Sequence, residues 1–447
     1  MSSENIANNM NNTPLKHTNE PGKPSTFDVV QKSLAKRRAA EHRFRFYGIA
    51  GIVLALAFLL VLFVNIFGKG YTAFVQTQIR LDIYFERAVL DPDGTDTEDA
   101  LSKADYTLLI KKSLSGLFPE VNSRRDKRNL YALISSGASY KLRALVLNDA
   151  GLVGKTSSVW LPVNDDIDIL FKGHIDREAK QSDRRVNDRQ LDFIDRLVAE
   201  NRLEKQFSST FFTDGDSREP ELAGIRGALT GSLLTLLGTF LLSFPIGVAT
   251  AVYLEEFAPV NKWTDFIEIN VNNLAAVPSI VFGLLGLAMF INFFGLPRST
   301  PIVGCLVLTL MTLPTIIIAG RASLKSVPPS IREAALGIGA SKLQTIFDHV
   351  LPLAIPGMLT GAIIGMARAL GETAPLLMIG MVAFIVDIPG GFSDPSTVLP
   401  VQIYLWADSP ERAFVEKTSA AIMVLLVFLI AMNGLAVYLR KLYERRW

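Results

Sequence analysis

Hydrophobic residues are concentrated in six long runs, and most charged residues lie in the segments between them. The first run, Tyr47 to Phe67, has about twenty residues without a charge, which at about 1.5 Å per helical residue matches the roughly 30 Å hydrocarbon core of a bilayer. The other five runs cover residues 227–254, 266–295, 301–320, 355–388 and 418–439. The pattern predicts six membrane-spanning helices, the third of them broken at Pro278.

The first run could also be read as a cleaved signal peptide. The polar leader, residues 1–46, is too long for one, and the run exceeds a typical signal-peptide core. We therefore expect a retained span, residues 47–67, preceded by a polar tail that ends in the basic cluster KRRAAEHRFR.

Between the first and second runs, residues 68–222 have a soluble character. Helical spacing of apolar residues predicts a helix over residues 97–118, and charge content predicts a second, long helix over 176–207. Residues 140–149 and 155–163 alternate like paired strands. The segment is therefore predicted to be an α+β domain inserted between two spans.

Basic residues in the short flanks predict the orientation. They are abundant before the first span, between the fourth and fifth spans, and in the last residues, 441–447. Since basic flanks stay on the cytoplasmic side, both termini should be cytoplasmic and residues 68–222 should lie outside, in the periplasm of a bacterium.

The composition mainly excludes certain kinds of binding site and bond. The formal net charge of +2 is close to balanced, so nothing indicates nucleic-acid binding. The single cysteine, Cys305, cannot form an internal disulfide. The four histidines share no metal-ligand spacing, and Asp91, Asp93 and Asp96 lack the remaining positions of a calcium loop, so we predict no metal site and no cofactor.

One motif looks like a nucleotide-binding loop and is rejected. DAGLVGKT, Asp149 to Thr156, ends like a phosphate-binding loop but has an acid where the pattern requires the first glycine. The residues that follow read as a strand, whereas phosphate binding needs a helix N-terminus there.

The loop between the fourth and fifth spans, residues 321–352, predicts two short helices that an exposed turn separates. Ser330 and Glu333 have the spacing of a capping box, Gly337 and Gly339 allow a sharp turn, and Pro352 ends the second helix. Such a knob is suited to docking in another protein, although it could equally be an ordinary interfacial loop.

Residues in this loop resemble those of a known family. Glu333, Ala334, Ala335, Gly339 and the pair Leu351-Pro352 fit the EAA loop of type I ABC importer permeases, with His349 as one departure. The stretch from Gly339 through Leu377 narrows the resemblance to permeases of phosphate-specific transport systems, over about residues 222–447 and the first span.

The resemblance implies several further features. The fold would be an α-helical polytopic membrane protein, the permease domain covering residues 223–440, with the α+β domain inserted. Glu333, Ala334, Ala335 and Gly339 would contact an ATP-binding ABC subunit that supplies all catalysis. Further partners would be a second homologous permease subunit and a periplasmic phosphate-binding protein. The resemblance gives the insert no role. Sulfate or molybdate remain alternative substrates, and a receptor that senses through residues 68–222 remains an alternative function.

Charges in the fifth run suggest a substrate path. Arg368 is expected about 16 Å deep, and Glu372, four residues later, would share its helix face with Gly361 and Gly365. A buried charge is costly, so the stripe should face protein or a water-filled path. Arg368 would attract an anion with Glu372 preventing its trapping, or the pair would join helices. Arg321 is a weaker path candidate, with interfacial anchoring as the alternative.

Overall fold

The computed structural model describes residues 26–92, 94 and 97–443. It divides into two compact units, residues 1–65 and 66–447, which are described separately below. The first unit consists, where described, of the greater part of helix α1 (Thr26–Gly70). The helix begins well before Tyr47, so the basic cluster preceding the apolar run is helical and not extended.

Five helices are long and apolar enough to cross a membrane, and a bent pair raises the number to six if it counts as one span. The five cover Lys36–Phe74, Arg226–Phe257, Pro301–Ser326, Lys342–Gly371 and Phe414–Leu442, and the bent pair covers Lys262–Ala275 and Ser279–Phe293. The two helices of the pair meet at 103°, with Pro278 directly before the second. The predicted break is thus confirmed, because proline disfavours helical geometry in the residue before it.

The fifth span differs from its prediction at both ends. Its helix begins at Lys342, inside the predicted loop, and ends at Gly371 instead of continuing to Ile388. The second of the two short helices predicted for the loop is therefore the start of the fifth span. After the break, a short helix occupies Ala374–Met378, and residues 379–398 contain no helix.

The α+β domain of the second unit is built on a three-stranded antiparallel sheet of order β2-β1-β3. The strands are β1 (Val75–Tyr84), β2 (Thr156–Pro162) and β3 (Leu203–Phe207). Its α-helices are α2 (Arg87–Leu90), α3 (Glu98–Lys103), α4 (Tyr106–Leu117), α5 (Arg124–Tyr131), α6 (Ala138–Asn148), α7 (Asp165–Lys172), α8 (Asp188–Ala199) and α9 (Thr210–Thr213). One apolar core unites the sheet and helices α2 to α8, with Ile79, Leu81 and Ile83 of β1 fully buried in it.

Local patterns predicted this domain only in part. Residues 155–163 contain the predicted strand, and residues 97–118 form helices α3 and α4. The prediction of a strand over residues 140–149 is wrong, because most of these residues form α6. The prediction of one long helix over 176–207 is also wrong, since this stretch holds a short 3₁₀ helix (Gln181–Asp183) and α8 before β3 begins. The central strand β1 was not predicted, and its burial depends on partners about 80 and 130 residues away.

The membrane part of the second unit contains ten helices among the described residues. They are α10 (Arg226–Val252), α11 (Lys262–Ala275), α12 (Ser279–Gly286), α13 (Pro301–Ser326), α14 (Pro329–Gly337), α15 (Lys342–Gln344), α16 (Leu351–Gly371), α17 (Ala374–Met378), α18 (Leu399–Ala407) and α19 (Phe414–Tyr443). Short π-helical turns extend α10 to Phe257 and α12 to Phe293, and another joins α15 to α16.

Small residues allow α10, α13 and α16 to pack closely. A Cβ atom added to Gly247 of α10 would lie 2.6 Å from Ile316 of α13, and one added to Gly361 of α16 would lie 2.3 Å from the Cβ atom of Ala319. Such approach suits membrane helices, whose association depends on packing rather than on exclusion from water. The three helices thereby form the centre of the membrane part.

Candidate functional site

Arg368 lies in the last turn of α16, where the helix ends inside the fifth apolar run. Glu372 follows the helix as its C-cap with extended backbone angles, φ −80° and ψ 120°. The two side chains still form an ion pair, with 3.5 Å between Nε of Arg368 and Oε1 of Glu372. The prediction that both share one continuous helix is therefore wrong, although their pairing is present.

The glycines before this pair have a different environment. Gly361 and Gly365 are buried and face α13, at Ala319 and Thr312 respectively. The Arg368 side chain, at the edge of that face, is 46% exposed in the isolated chain. The glycines thus position α16 against α13, while the guanidinium group remains accessible.

The segment directly after the helix break at Glu372 packs closely against α12. The Cα atom of Pro375, at the start of α17, would lie 2.6 Å from a Cβ atom added to Gly283 of α12. Irregular backbone at membrane depth is tolerated where protein buries it or where it lines a water-filled cavity. The contact between α17 and α12 thus supports the irregular backbone that follows Arg368.

Arg321 occupies a different kind of site. Its Nη1 atom lies 2.7 Å from Oε1 of Glu268 in α11, and its Nε atom lies 3.3 Å from Oε2 of Glu255 at the end of α10. Only 16% of its side chain is exposed. Two carboxylates already satisfy this guanidinium group, so the geometry favours the anchoring alternative over a role in an anion path.

The loop before the fifth span begins with helix α14. Pro328 is its N-cap and Ser330 makes no capping bond, so the predicted capping box at Ser330 and Glu333 is wrong. A capping box instead starts α15, between Ser341 and Gln344. Gly339 has a φ of +91°, which confirms the sharp turn, because this left-handed conformation favours glycine.

The four residues of the predicted coupling set do not share one environment. Glu333, Ala334 and Gly339 are exposed, whereas Ala335 is 5% exposed and packs inward. Around the exposed ones lie four large apolar side chains that are each at least half exposed: Leu336, Ile338, Leu343 and Phe347. Sequence reasoning missed this apolar surface, although its residues alternate with inward-facing ones such as Ile346.

Arg332 was also missed as a functional candidate. Its Nη2 atom lies 2.6 Å from Oε1 of Glu256 and 3.0 Å from the carbonyl oxygen of Leu324, and its Nη1 atom lies 2.8 Å from that of Val327. One guanidinium group on α14 thus binds the end of α10 and the last carbonyls of α13. A displacement of α14 would pull on both helices.

The rejected nucleotide motif has the geometry expected of a turn. Residues 150–152 form a 3₁₀ turn, Gly154 has a φ of +81°, and strand β2 begins at Thr156 where a phosphate-binding loop would start a helix. Of the three aspartates considered for calcium, Asp93 and Asp96 lie outside the described residues.

Comparison with known proteins matches two separate stretches of the chain to two family models. Residues 243–446 match the model "Binding-protein-dependent transport system inner membrane component", and residues 31–181 match "Domain of unknown function (DUF3333)". Phosphate transport system permease protein PstA 1 of Mycobacterium tuberculosis (strain CDC 1551 / Oshkosh) is 33% identical over 223 residues, which cover 50% of this chain and 72% of the relative. The chain belongs to the family of binding-protein-dependent transport permeases.

Two further relatives and one solved structure are also similar to parts of this chain. Phosphate transport system permease protein PstA of Mycobacterium leprae (strain TN) is 34% identical over 50% of this chain and 72% of its own length. Probable ABC transporter permease protein YqgI of Bacillus subtilis (strain 168) is 40% identical over 38% of this chain, which spans 58% of that relative. A solved structure of the MetNI methionine ABC transporter is similar with 19% identity and a TM-score of 0.41, over 49% of this chain and 96% of that one.

Family membership and the candidate spans confirm the predicted fold class, a polytopic helical permease of the inner membrane with a small sheet in an additional domain. The two mycobacterial relatives also confirm the resemblance to permeases of phosphate transport systems.

Proposed function

We propose that the chain is the permease subunit of an ABC importer that carries inorganic phosphate into the cytoplasm. The names of its relatives support the substrate class. The observation that carries the mechanism is the accessible guanidinium group of Arg368 at a helix break inside the membrane part. Arginine suits a phosphate path because it stays charged and its planar group can bond two oxygens at once.

Glu372 has a moderating role in this proposal. Its carboxylate partly neutralises Arg368 at 3.5 Å, a distance at which the pair is loose. An approaching anion can displace the carboxylate from the guanidinium group, and the returning carboxylate releases the anion. Arg368 therefore lowers the free energy of an anion at membrane depth without holding it tightly.

The energy for transport comes from a partner in this proposal, and the chain itself is not catalytic. An ATP-binding ABC subunit docks on the exposed surface formed by Leu336, Ile338, Leu343 and Phe347, with Glu333 at its edge. Exposed apolar side chains of this size, ringed by polar residues, are typical of protein interfaces. Both termini lie in the cytoplasm with this surface, and residues 68–222 lie in the periplasm.

Two further partners complete the transporter. A second homologous permease subunit packs beside this chain so that Arg368 faces the path between them, and a periplasmic phosphate-binding protein delivers the anion. The half-exposed Arg368 side chain supports this arrangement, because a charge in the membrane part needs a protein or water neighbour.

The decisive experiment measures phosphate uptake by the assembled transporter in proteoliposomes. Arg368→Ala should reduce uptake at least about a hundredfold, because the anion loses its counter-charge where water is scarce. The complex should still assemble and still bind its ATPase subunit. Loss of assembly would instead support a role of the Arg368–Glu372 pair in joining helices. Preferential stimulation of ATP hydrolysis by sulfate or molybdate would overturn the assignment of phosphate as the substrate.

A further inference from the structure

A buried network of charges joins the α+β domain to the first turn of α19. The Nζ atom of Lys172 lies 2.6 Å from Oδ2 of Asp168, one turn earlier in α7, and 2.6 Å from Oε1 of Glu416 in α19. The Lys172 and Glu416 side chains are only 3% and 7% exposed. Charges this deeply buried are unfavourable unless their partners are well placed.

The remaining oxygen atoms of the network also have partners. The backbone N–H of Thr77 in β1 donates to Oδ1 of Asp168 at 2.8 Å. The hydroxyl group of Thr72 donates to Oε2 of Glu416 at 2.7 Å, and Nε2 of His174 lies 3.6 Å from the same oxygen. The network therefore fixes one arrangement of α7, β1 and α19.

Additional contacts hold the same two regions together. They connect the α+β domain and the segment before α10 with α18, α19 and the loop between them: Arg185 Nη1 to Glu411 Oε2 at 3.1 Å, Trp406 Nε1 to Asp216 Oδ1 at 2.9 Å, and Lys417 Nζ to the carbonyl oxygen of Ala223 at 3.3 Å. The first turn of α19 is consequently held from several sides. The α+β domain is thus packed into the permease and not attached only through its chain ends.

The helix α19 continues from this junction to α16. Leu425, Phe428 and Leu429 of α19 pack against the apolar cluster that contains Met366 and Leu370 of α16. These two α16 residues lie on either side of Arg368 in the sequence. A change in the position of α19 at Glu416 would therefore reach the helix that presents Arg368.

We propose that Lys172 and Glu416 are positioning residues for transport, through which the α+β domain fixes α19 and thereby the position of α16, the helix that presents Arg368. A buried ion pair is weak evidence for stability, because apolar residues of equal volume often serve as well. Its directional bonds, however, define one geometry. The inference rests on the proposed function of Arg368 and gives the α+β domain a role in it.

The sharpest variant is Glu416→Gln. Glutamine keeps the volume, and its oxygen can accept the bond from Lys172 while its NH2 group donates to the hydroxyl oxygen of Thr72; Lys172 keeps Asp168 as its ionic partner. The charge that joins the two regions is thus removed without leaving Lys172 unpaired. Asp99→Asn is the matched control, since it breaks the pair of Lys103 and Asp99, also at 2.6 Å, whose side chains are 72% and 76% exposed.

Glu416→Gln should lower the maximal rate of phosphate uptake about tenfold, a size typical of coupling through packed side chains. Basal ATP hydrolysis and assembly should stay unchanged, and Asp99→Asn should match the unaltered transporter. Hydrogen exchange should become faster at residues 414–420 and at residues 366–371. Glu416→Asp, which retains the charge on a shorter side chain, should give an intermediate rate.

An unaltered uptake rate in Glu416→Gln would overturn the proposal, whether or not exchange changes at residues 414–420. If Glu416→Gln does not assemble, Glu416→Asp is decisive, and an unaltered rate in that assembled variant overturns the proposal equally. Failure of the proposed function is distinguishable, because the transporter without substitutions would then take up no phosphate. The exchange at residues 366–371 would still report whether Glu416 positions α16.

Discussion

Two ion pairs in this permease differ in almost every physical respect. Arg368 and Glu372 are four residues apart, 3.5 Å from each other, with side chains 46% and 20% exposed. Lys172 and Glu416 are 244 residues apart in the chain, 2.6 Å from each other, with side chains 3% and 7% exposed. A loose, accessible pair can exchange its partner for a ligand, whereas a tight, buried pair fixes geometry.

The first test of this comparison is the cost of removing one charge from each pair. Lys172→Ala leaves Glu416 and Asp168 without their shared cation in a buried site, which should destabilise the protein by roughly 3–5 kcal/mol. Arg368→Ala should change stability by less than about 1 kcal/mol, because its pair is exposed. Thermal unfolding of the purified complexes measures both, and equal losses would contradict the distinction.

A second prediction concerns the acidic surroundings of the buried junction. Burial raises the pKa of Glu221 to about 7, with Asp165 and Glu219 adding to the effect, while the nearby Ser135 side chain and the backbone oppose it. The folded state thus binds a proton that the unfolded state has lost above about pH 4.5. Stability from this group is complete below that pH and is lost as pH rises through 7.

Glu221→Gln tests this pH dependence, since the amide imitates the protonated carboxyl group. The variant should be more stable than the unaltered protein above pH 7, by up to about 3 kcal/mol, and the two should converge near pH 4. Unfolding curves between pH 4 and 8 give the comparison. Asp99→Asn, at an exposed acid that does not contribute to the Glu221 shift, is the control, and parallel curves for Glu221→Gln and the unaltered protein would refute the assignment.

A third prediction extends the comparison to the coupling loop. Arg332→Ala removes the 2.6 Å pair with Glu256 and two bonds to carbonyl groups at the C-terminal end of α13, which should cost about 1–3 kcal/mol. ATP hydrolysis should persist while phosphate uptake falls, because α14 no longer holds α10 and α13. Lys325→Ala is the matched control, since Lys325 is 59% exposed and 3.7 Å from Glu255. Equal uptake in both variants would exclude this transmission.

The smallest expected effect is that of Glu372→Gln. Removal of this partly exposed carboxylate should change stability by less than about 1 kcal/mol, since the pair it belongs to is loose. Phosphate should be bound more tightly and released more slowly, so uptake should saturate at lower phosphate with a reduced maximal rate. An unchanged concentration dependence would show that Glu372 does not moderate the site.

The sequence by itself determined the features that depend on local composition. The lengths of apolar runs predicted the membrane spans, Pro278 predicted the break in the third, and the spacing of Glu333, Ala334, Ala335 and Gly339 predicted the family. These signals survive folding because bilayer thickness, proline geometry and glycine's positive φ act on neighbouring residues.

Only the tertiary structure decided the features that depend on distant residues. The partners of Arg321 are in α10 and α11, the central strand β1 pairs with distant strands, and Lys172 meets Glu416 across 244 positions. No local pattern specifies such neighbours, because the free energy of a buried charge or strand depends on what the rest of the chain places beside it.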